Sequence, residues 1–117
     1  MTHAVIVDKA TGTPLFDRVR VASRLVDRTI GLMFAESLGD DQGLLIRRCN
    51  SVHTCFMRFE IDVVFLSGAG EVVRVIRRMK PWRFSALYLR ASQTLEVPGG
   101  ALPASVVPGT WLEVRHV

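Results

Sequence analysis

Cysteine, lysine and long apolar runs are all scarce in this sequence, and each shortage closes off a class of protein. Two cysteines in 117 residues, Cys49 and Cys55, are too few for a disulfide scaffold. On one extended segment their Cα atoms stand roughly 20 Å apart at about 3.3 Å per residue, far beyond the ~5.5 Å of a disulfide. Only a turn at Asn50-Ser51 would join them, so two thiols are expected. No uncharged apolar run approaches the ~18 residues a membrane helix needs, and no membrane contact is expected. The first nine residues, Met1 to Lys9, lack the basic segment and long apolar run of a secretory signal. A cytoplasmic protein, bacterial in origin, is the expectation. Phosphate loop, dinucleotide fingerprint, serine elbow, CxxC and HxxxH spacing are all missing, so no cofactor and no metal is expected.

What is present suits one globular domain spanning residues 1–117: 49% of residues are apolar and 22% charged. A chain of this size buries about two-thirds of its unfolded surface in a single core. The net charge of +4 is carried by arginine, because Lys9 and Lys80 are the two lysines among fifteen basic residues. Such a balance favours an anionic partner only weakly, since arginine-rich usage also follows genome composition.

The stretch from Val52 to Leu66 organises the rest. Its first arm alternates, placing His53, Cys55 and Met57 on one face and Thr54, Phe56 and Arg58 on the other. The second arm, residues 61–66, is apolar on both faces except for Asp62, as in a central strand covered from both sides. A tight link between the arms predicts a hairpin that sets Met57 opposite Ile61, Cys55 opposite Val63 and His53 opposite Phe65.

Around it, residues 4–7 and 15–22 form an opening hairpin across the turn Thr11-Gly12-Thr13-Pro14. Residues 23–36 carry the one helix candidate, with Ser23 as N-cap and Val26, Ile30 and Met33 as its apolar stripe. Further strands are expected over 43–46, 71–79, 94–97 and 110–115, with a glycine hairpin at Ser67-Gly68-Ala69-Gly70, a short helical or irregular turn over 99–107, and a sheet that grows in sequence order. The fold class is mostly β: a single compact antiparallel β-barrel or sandwich with one short helix in its N-terminal half.

Arg28 with Gly31-Leu32-Met33, the strand Gly43-Leu44-Leu45, His53-Thr54 through Met57, Ile61-Asp62 through Phe65-Leu66, and Leu95-Glu96-Val97-Pro98-Gly99 together resemble the family catalogued as domain of unknown function 192, over roughly residues 19–114. The resemblance implies a compact, mostly-β domain with one short helix and supplies no function. It makes Arg28, His53, Met57 and Asp62 the matched positions for a ligand site. Cys55 departs from the usual aromatic, and the link from Met57 to Asp62 is shorter than usual.

Four constellations carry chemistry. His53 and Cys55, as i and i+2 neighbours, could form a thiolate and base for a thiol-dependent enzyme, against the alternative of a packed core face. Imidazole, thiolate and thioether suit copper or zinc, but His53 and Met57 lie about 13 Å apart along a strand. Arg74, Arg78 and Lys80 on one strand face, with Trp82 beyond, could bind single-stranded nucleic acid, or simply protect a solvated edge. Asp62 is expected to pair with Arg58 across the hairpin, with a ligand-binding role second. The reading that emerges is a binding or accessory module for a small molecule or protein partner.

Overall fold

The computed structural model describes residues 2–22, 41–54 and 57–117. The helix expected over 23–36, with Arg28, and the thiol of Cys55 lie outside the described residues. Within them the chain forms seven strands: β1 (Thr2–Asp8), β2 (Pro14–Ala22), β3 (Gly43–Arg47), β4 (Ile61–Leu66), β5 (Val72–Met79), β6 (Gln93–Pro98) and β7 (Leu112–His116). No described helix is long and apolar enough to cross a membrane.

The strands make one sheet in the order β5-β4-β6-β3-β2-β1-β7. The opening hairpin forms as its turn residues dictate: Asp8 N–H donates to the Thr13 carbonyl at 2.9 Å, and Gly12 adopts a positive φ of 73°. The glycine hairpin likewise joins β4 to β5. Two expectations are corrected. The sheet does not grow in sequence order, because β6 inserts between β3 and β4 and pairs antiparallel with both. Nor is it wholly antiparallel, since β2 and β3 run parallel with Val21 beside Leu45. A parallel neighbour cannot be reached by a hairpin, which is why a long connection separates these two strands. Its return is pinned to β2, where Gln42 Oε1 accepts from the Asp17 N–H at 2.7 Å.

The sheet curls until its two edge strands meet at one corner, producing a half-barrel. There Val72 N–H donates to the Thr110 carbonyl at 2.8 Å and Leu112 N–H to the Gly70 carbonyl at 2.9 Å. Gly70 is obligatory at this closure. Its φ is +102°, and a Cβ would sit 2.1 Å from the Leu112 carbonyl oxygen.

Both faces of the sheet are packed. The concave face holds Ile6, Val19, Leu45, Val64, Leu66, Leu95 and Leu112, closed by Leu102 and Val106 of the 99–109 loop. The convex face holds Leu44, Ile46, Ile61, Val63 and Phe65, covered by Cys49, Val52, Met57, Tyr88 and Ala91. All six residues of β4 are buried, as the two-sided apolar pattern requires. Among the described residues, the hairpin expected between residues 52–58 and β4 is not found: β4 pairs with β5 and β6 instead. Residues 49–54, which bend at Asn50, bond to the 82–92 connection and make one isolated bridge, His53 to Phe84. Alternation specified an extended segment, while the partner was chosen at long range.

Thr54 fastens this cover. Its hydroxyl donates to the Lys80 carbonyl at 2.5 Å and accepts from the Arg83 N–H at 2.9 Å, and its carbonyl accepts from the Trp82 N–H at 3.0 Å. Fully buried, it satisfies polar backbone that would otherwise be stranded over an apolar face.

Candidate functional site

The sequence-predicted positions are distributed rather than convergent. His53 is half-buried in the cover, its ring 6.0 Å from that of Phe84, and Met57 is buried in the convex-face cluster. Asp62 lies across β4 from Met57 and serves the backbone. Its carboxylate accepts from the N–H groups of Arg78 at 2.8 Å, Gly100 at 3.0 Å and Leu102 at 3.1 Å. The expected Asp62–Arg58 ion pair is therefore corrected: with no hairpin to bring Arg58 across, three backbone donors take its place. Asp62 thereby holds the 99–109 loop against β5. Arg77 secures the same loop from the strand side, donating to the carbonyls of Leu102, Pro103 and Val106 at 2.7 to 3.0 Å.

The basic row is also rearranged. Register shifts in the β4–β5 pair, between Phe65 and Leu66 and between Ile61 and Val63, break the simple alternation of β5. Arg74 and Ile76 then share the face of Met79, and Arg78, with φ of +51°, bends off it toward Glu60 at 3.5 Å. Arg74, Arg78 and Lys80 are exposed but form no straight row, and Trp82 is 57% exposed.

A site the sequence did not single out opens where the half-barrel gapes. A cleft of about 390 Å³ lies between β7, the end of β3, the start of β6 and the 68–70 turn. Arg47, Lys9, Gln93 and His116 line it. Arg47 Nη1 lies 3.0 Å from His116 Nε2. A guanidinium can only donate, so His116 Nε2 is the acceptor in this contact. Lys9 Nζ sits 5.7 Å from the centre of the Trp111 ring, a cation–π contact. Glu113, the acid of the cleft, is occupied: the Arg115 guanidinium bonds it at 3.2 Å and holds its carboxyl below the ordinary range. Among the described residues, Lys9 and Arg47 have no carboxylate within ion-pair distance. Two cations thus line a polar recess, Arg47 with one hydrogen bond to an imidazole and Lys9 with a ring contact and the more distant charge of Glu113, which is an arrangement suited to a small anion. The four lining side chains come from separate segments, and Arg47-Arg48 read in sequence only as a basic end to a strand.

A closed counterpart lies at the start of β1, beside Arg18 and Arg20 of β2. Buried Asp41 pairs with Arg20 at 2.8 Å, Arg18 at 2.9 Å and His3 at 3.1 Å. Burial alone would push its carboxyl up, but the Arg20 hydrogen bond and the charges of His3, Arg20 and Arg18 outweigh it and hold the group below its ordinary value. That cluster is complete and leaves no room for a ligand's charge.

Known proteins share this architecture. The model of the family DUF192, described as an uncharacterized ACR, matches residues 6–114. A UPF0127 protein of Pyrococcus furiosus is 40% identical over 81% of this chain and 84% of its own. One from Pyrococcus horikoshii is 35% identical over 89% and 91% respectively. A third, from Thermococcus sibiricus, is 31% identical, and the match spans 66% of that longer protein. These sequence relatives are archaeal, so the expected bacterial source is unsupported. Among solved structures, a Sinorhizobium meliloti protein described as a "putative transcription regulator" superposes with a TM-score of 0.76 at 21% identity, covering 97% of this chain and 94% of that one. A Novosphingobium aromaticivorans protein of unknown function follows at 0.70 and 20%, covering 95% and 83%. At such identities the likeness is one of fold. With the family model running from β1 to β7, this chain belongs to the DUF192 family of uncharacterised proteins.

Proposed function

We propose that the protein is a cytoplasmic binding module that holds a small anionic molecule in the cleft at the open side of its half-barrel. One observation carries the reading: Arg47 and Lys9 line a recess of about 390 Å³, and among the described residues neither has a carboxylate within ion-pair distance. A carboxylate or phosphate entering there gains charge-assisted hydrogen bonds from the Arg47 fork and from Lys9, and the volume matches a small metabolite. Gln93, buried and tied through Nε2 to the Ser67 carbonyl at 3.0 Å, stiffens one wall.

Calorimetric titration with inorganic phosphate and with citrate tests it. Binding of either, weakened on the order of tenfold or more by Arg47→Ala and less by Lys9→Ala, is the expected result. Wild-type protein that takes up neither anion at low ionic strength sinks the reading.

A further inference from the structure

The 80–92 connection is bound to the rest of the molecule by its backbone while its large apolar side chains face outward. The N–H of Ser85 donates to the Val52 carbonyl at 2.9 Å and that of Tyr88 to the Asn50 carbonyl at 3.0 Å, with Thr54 clamping residues 80–83. Tyr88 and Ala91 turn inward onto Phe65 and the convex core. The outward set is Trp82, Phe84, Leu87 and Leu89, exposed by 57%, 76%, 60% and 83%. Four such side chains within eight residues, on a loop whose geometry is imposed by hydrogen bonds, make an apolar patch larger than scattered surface residues account for.

The charge around this patch has one sign. From Val72 to Leu95 the sequence holds six cations, Arg74, Arg77, Arg78, Lys80, Arg83 and Arg90, and no acidic residue. Lys80, Arg83 and Arg90 are all exposed and interleave with the apolar four. Arg78 leans toward Glu60 at 3.5 Å and Arg90 toward Glu71 at 3.7 Å, both exposed pairs that water and salt weaken readily.

We propose that residues 80–90 form a face that docks on an anionic phospholipid surface, with Trp82, Phe84, Leu87 and Leu89 entering the headgroup–acyl boundary and Lys80, Arg83 and Arg90 held at the phosphates. Interfacial segments are built this way, with aromatic and leucine side chains on one side and basic ones around them. Single-stranded nucleic acid would engage the cations and stack on Trp82 and Phe84, but Leu87 and Leu89 offer it no ring face. The lipid boundary accommodates all four side chains and needs no preformed pocket. The absence of a long apolar run bears only on spanning a membrane, so surface docking is a separate property of the fold.

Flotation with phosphatidylcholine vesicles, with and without phosphatidylglycerol, is the test. It is run in a Trp111→Phe background so that Trp82 alone reports. Binding to the phosphatidylglycerol vesicles is expected, with a blue shift of Trp82 emission and little binding to phosphatidylcholine alone. Replacing Lys80, Arg83 and Arg90 together by glutamine should weaken it roughly 100-fold, at about a factor of five per basic residue near the surface. Leu87→Ser with Leu89→Ser should weaken it on the order of tenfold. All five side chains are exposed, so an unchanged melting temperature verifies that the variants fold. No binding to anionic vesicles, or binding undiminished in both variants, overturns the proposal. A single-stranded DNA oligonucleotide that binds the wild type when vesicles do not also overturns it, and assigns the face to nucleic acid.

Discussion

Asp62 and Asp41 are two aspartates of similar burial whose regions of the molecule satisfy them by opposite means. Asp62, 1% exposed, is met by three backbone N–H groups from β5 and the 99–109 loop. Asp41, 6% exposed, is met by the side chains of Arg18, Arg20 and His3. Backbone donors cannot swing away into water, so Asp62 acts as a rivet that fixes the shape of a strand irregularity and a loop together. Side-chain cations can rotate off, exchange for water and be screened, so Asp41 is a charge cluster laid on a sheet that already stands. Removing the first strands buried donors; removing the second frees solvated ones.

The largest expected effect breaks the rivet. Asp62→Ala should destabilise the fold by about 3 to 5 kcal/mol, because three N–H groups lose their acceptor where water enters poorly. Chemical denaturation decides it, and a loss below about 1 kcal/mol would show that the 99–109 loop finds other acceptors. A neutral version of the same architecture sharpens the point. Thr54→Val, nearly isosteric, should cost about 1 to 3 kcal/mol, since the Arg83 N–H and Lys80 carbonyl lose their hydroxyl partner beneath the cover. Faster hydrogen exchange confined to the 80–92 connection would be the local signature.

Asp41→Asn should cost less, about 1 kcal/mol, and should differ from Asp62 in how it responds to solution conditions. The folded carboxyl lies below its ordinary value, so its contribution is complete above the unfolded value and is lost as pH falls through the folded one. Melts of wild type and Asp41→Asn should therefore converge in acid, below about pH 4. High salt should also shrink the gap, whereas the Asp62→Ala deficit should persist; a salt-independent Asp41 deficit would erase the distinction. Smallest of all, Arg47→Ala should move stability by no more than about 0.5 kcal/mol, because no acid is lost with it. The same variant weakening anion uptake on the order of tenfold or more would separate a binding cation from a structural one.

Several elements were legible because their signals are local. The β1–β2 and β4–β5 hairpins follow from turn residues, and the six-residue burial of β4 follows from apolarity on both faces. Residues 52–58 show the limit. Their alternation predicts one apolar side, and that side is buried equally well by a ladder strand and by a cover strapped over a sheet. Backbone partners decide between those, and the partners are residues 82–92. The Asp62–Arg58 pairing failed with the hairpin that implied it. The cleft escaped notice for a related reason: Lys9, Arg47, Gln93 and His116 become neighbours only when β7 folds back beside β1 and β6 enters between β3 and β4.

The sequence by itself determined a mostly-β fold, the central strand, the principal turns and the family, because turn chemistry and two-residue periodicity act over a few residues. Only the tertiary structure decided the strand order, the parallel β2–β3 contact, the backbone role of Asp62 and the placing of Arg47 and Lys9 in the lining of one cleft. Those depend on which segments meet across the sheet, and that choice is settled by burying both of its faces at once.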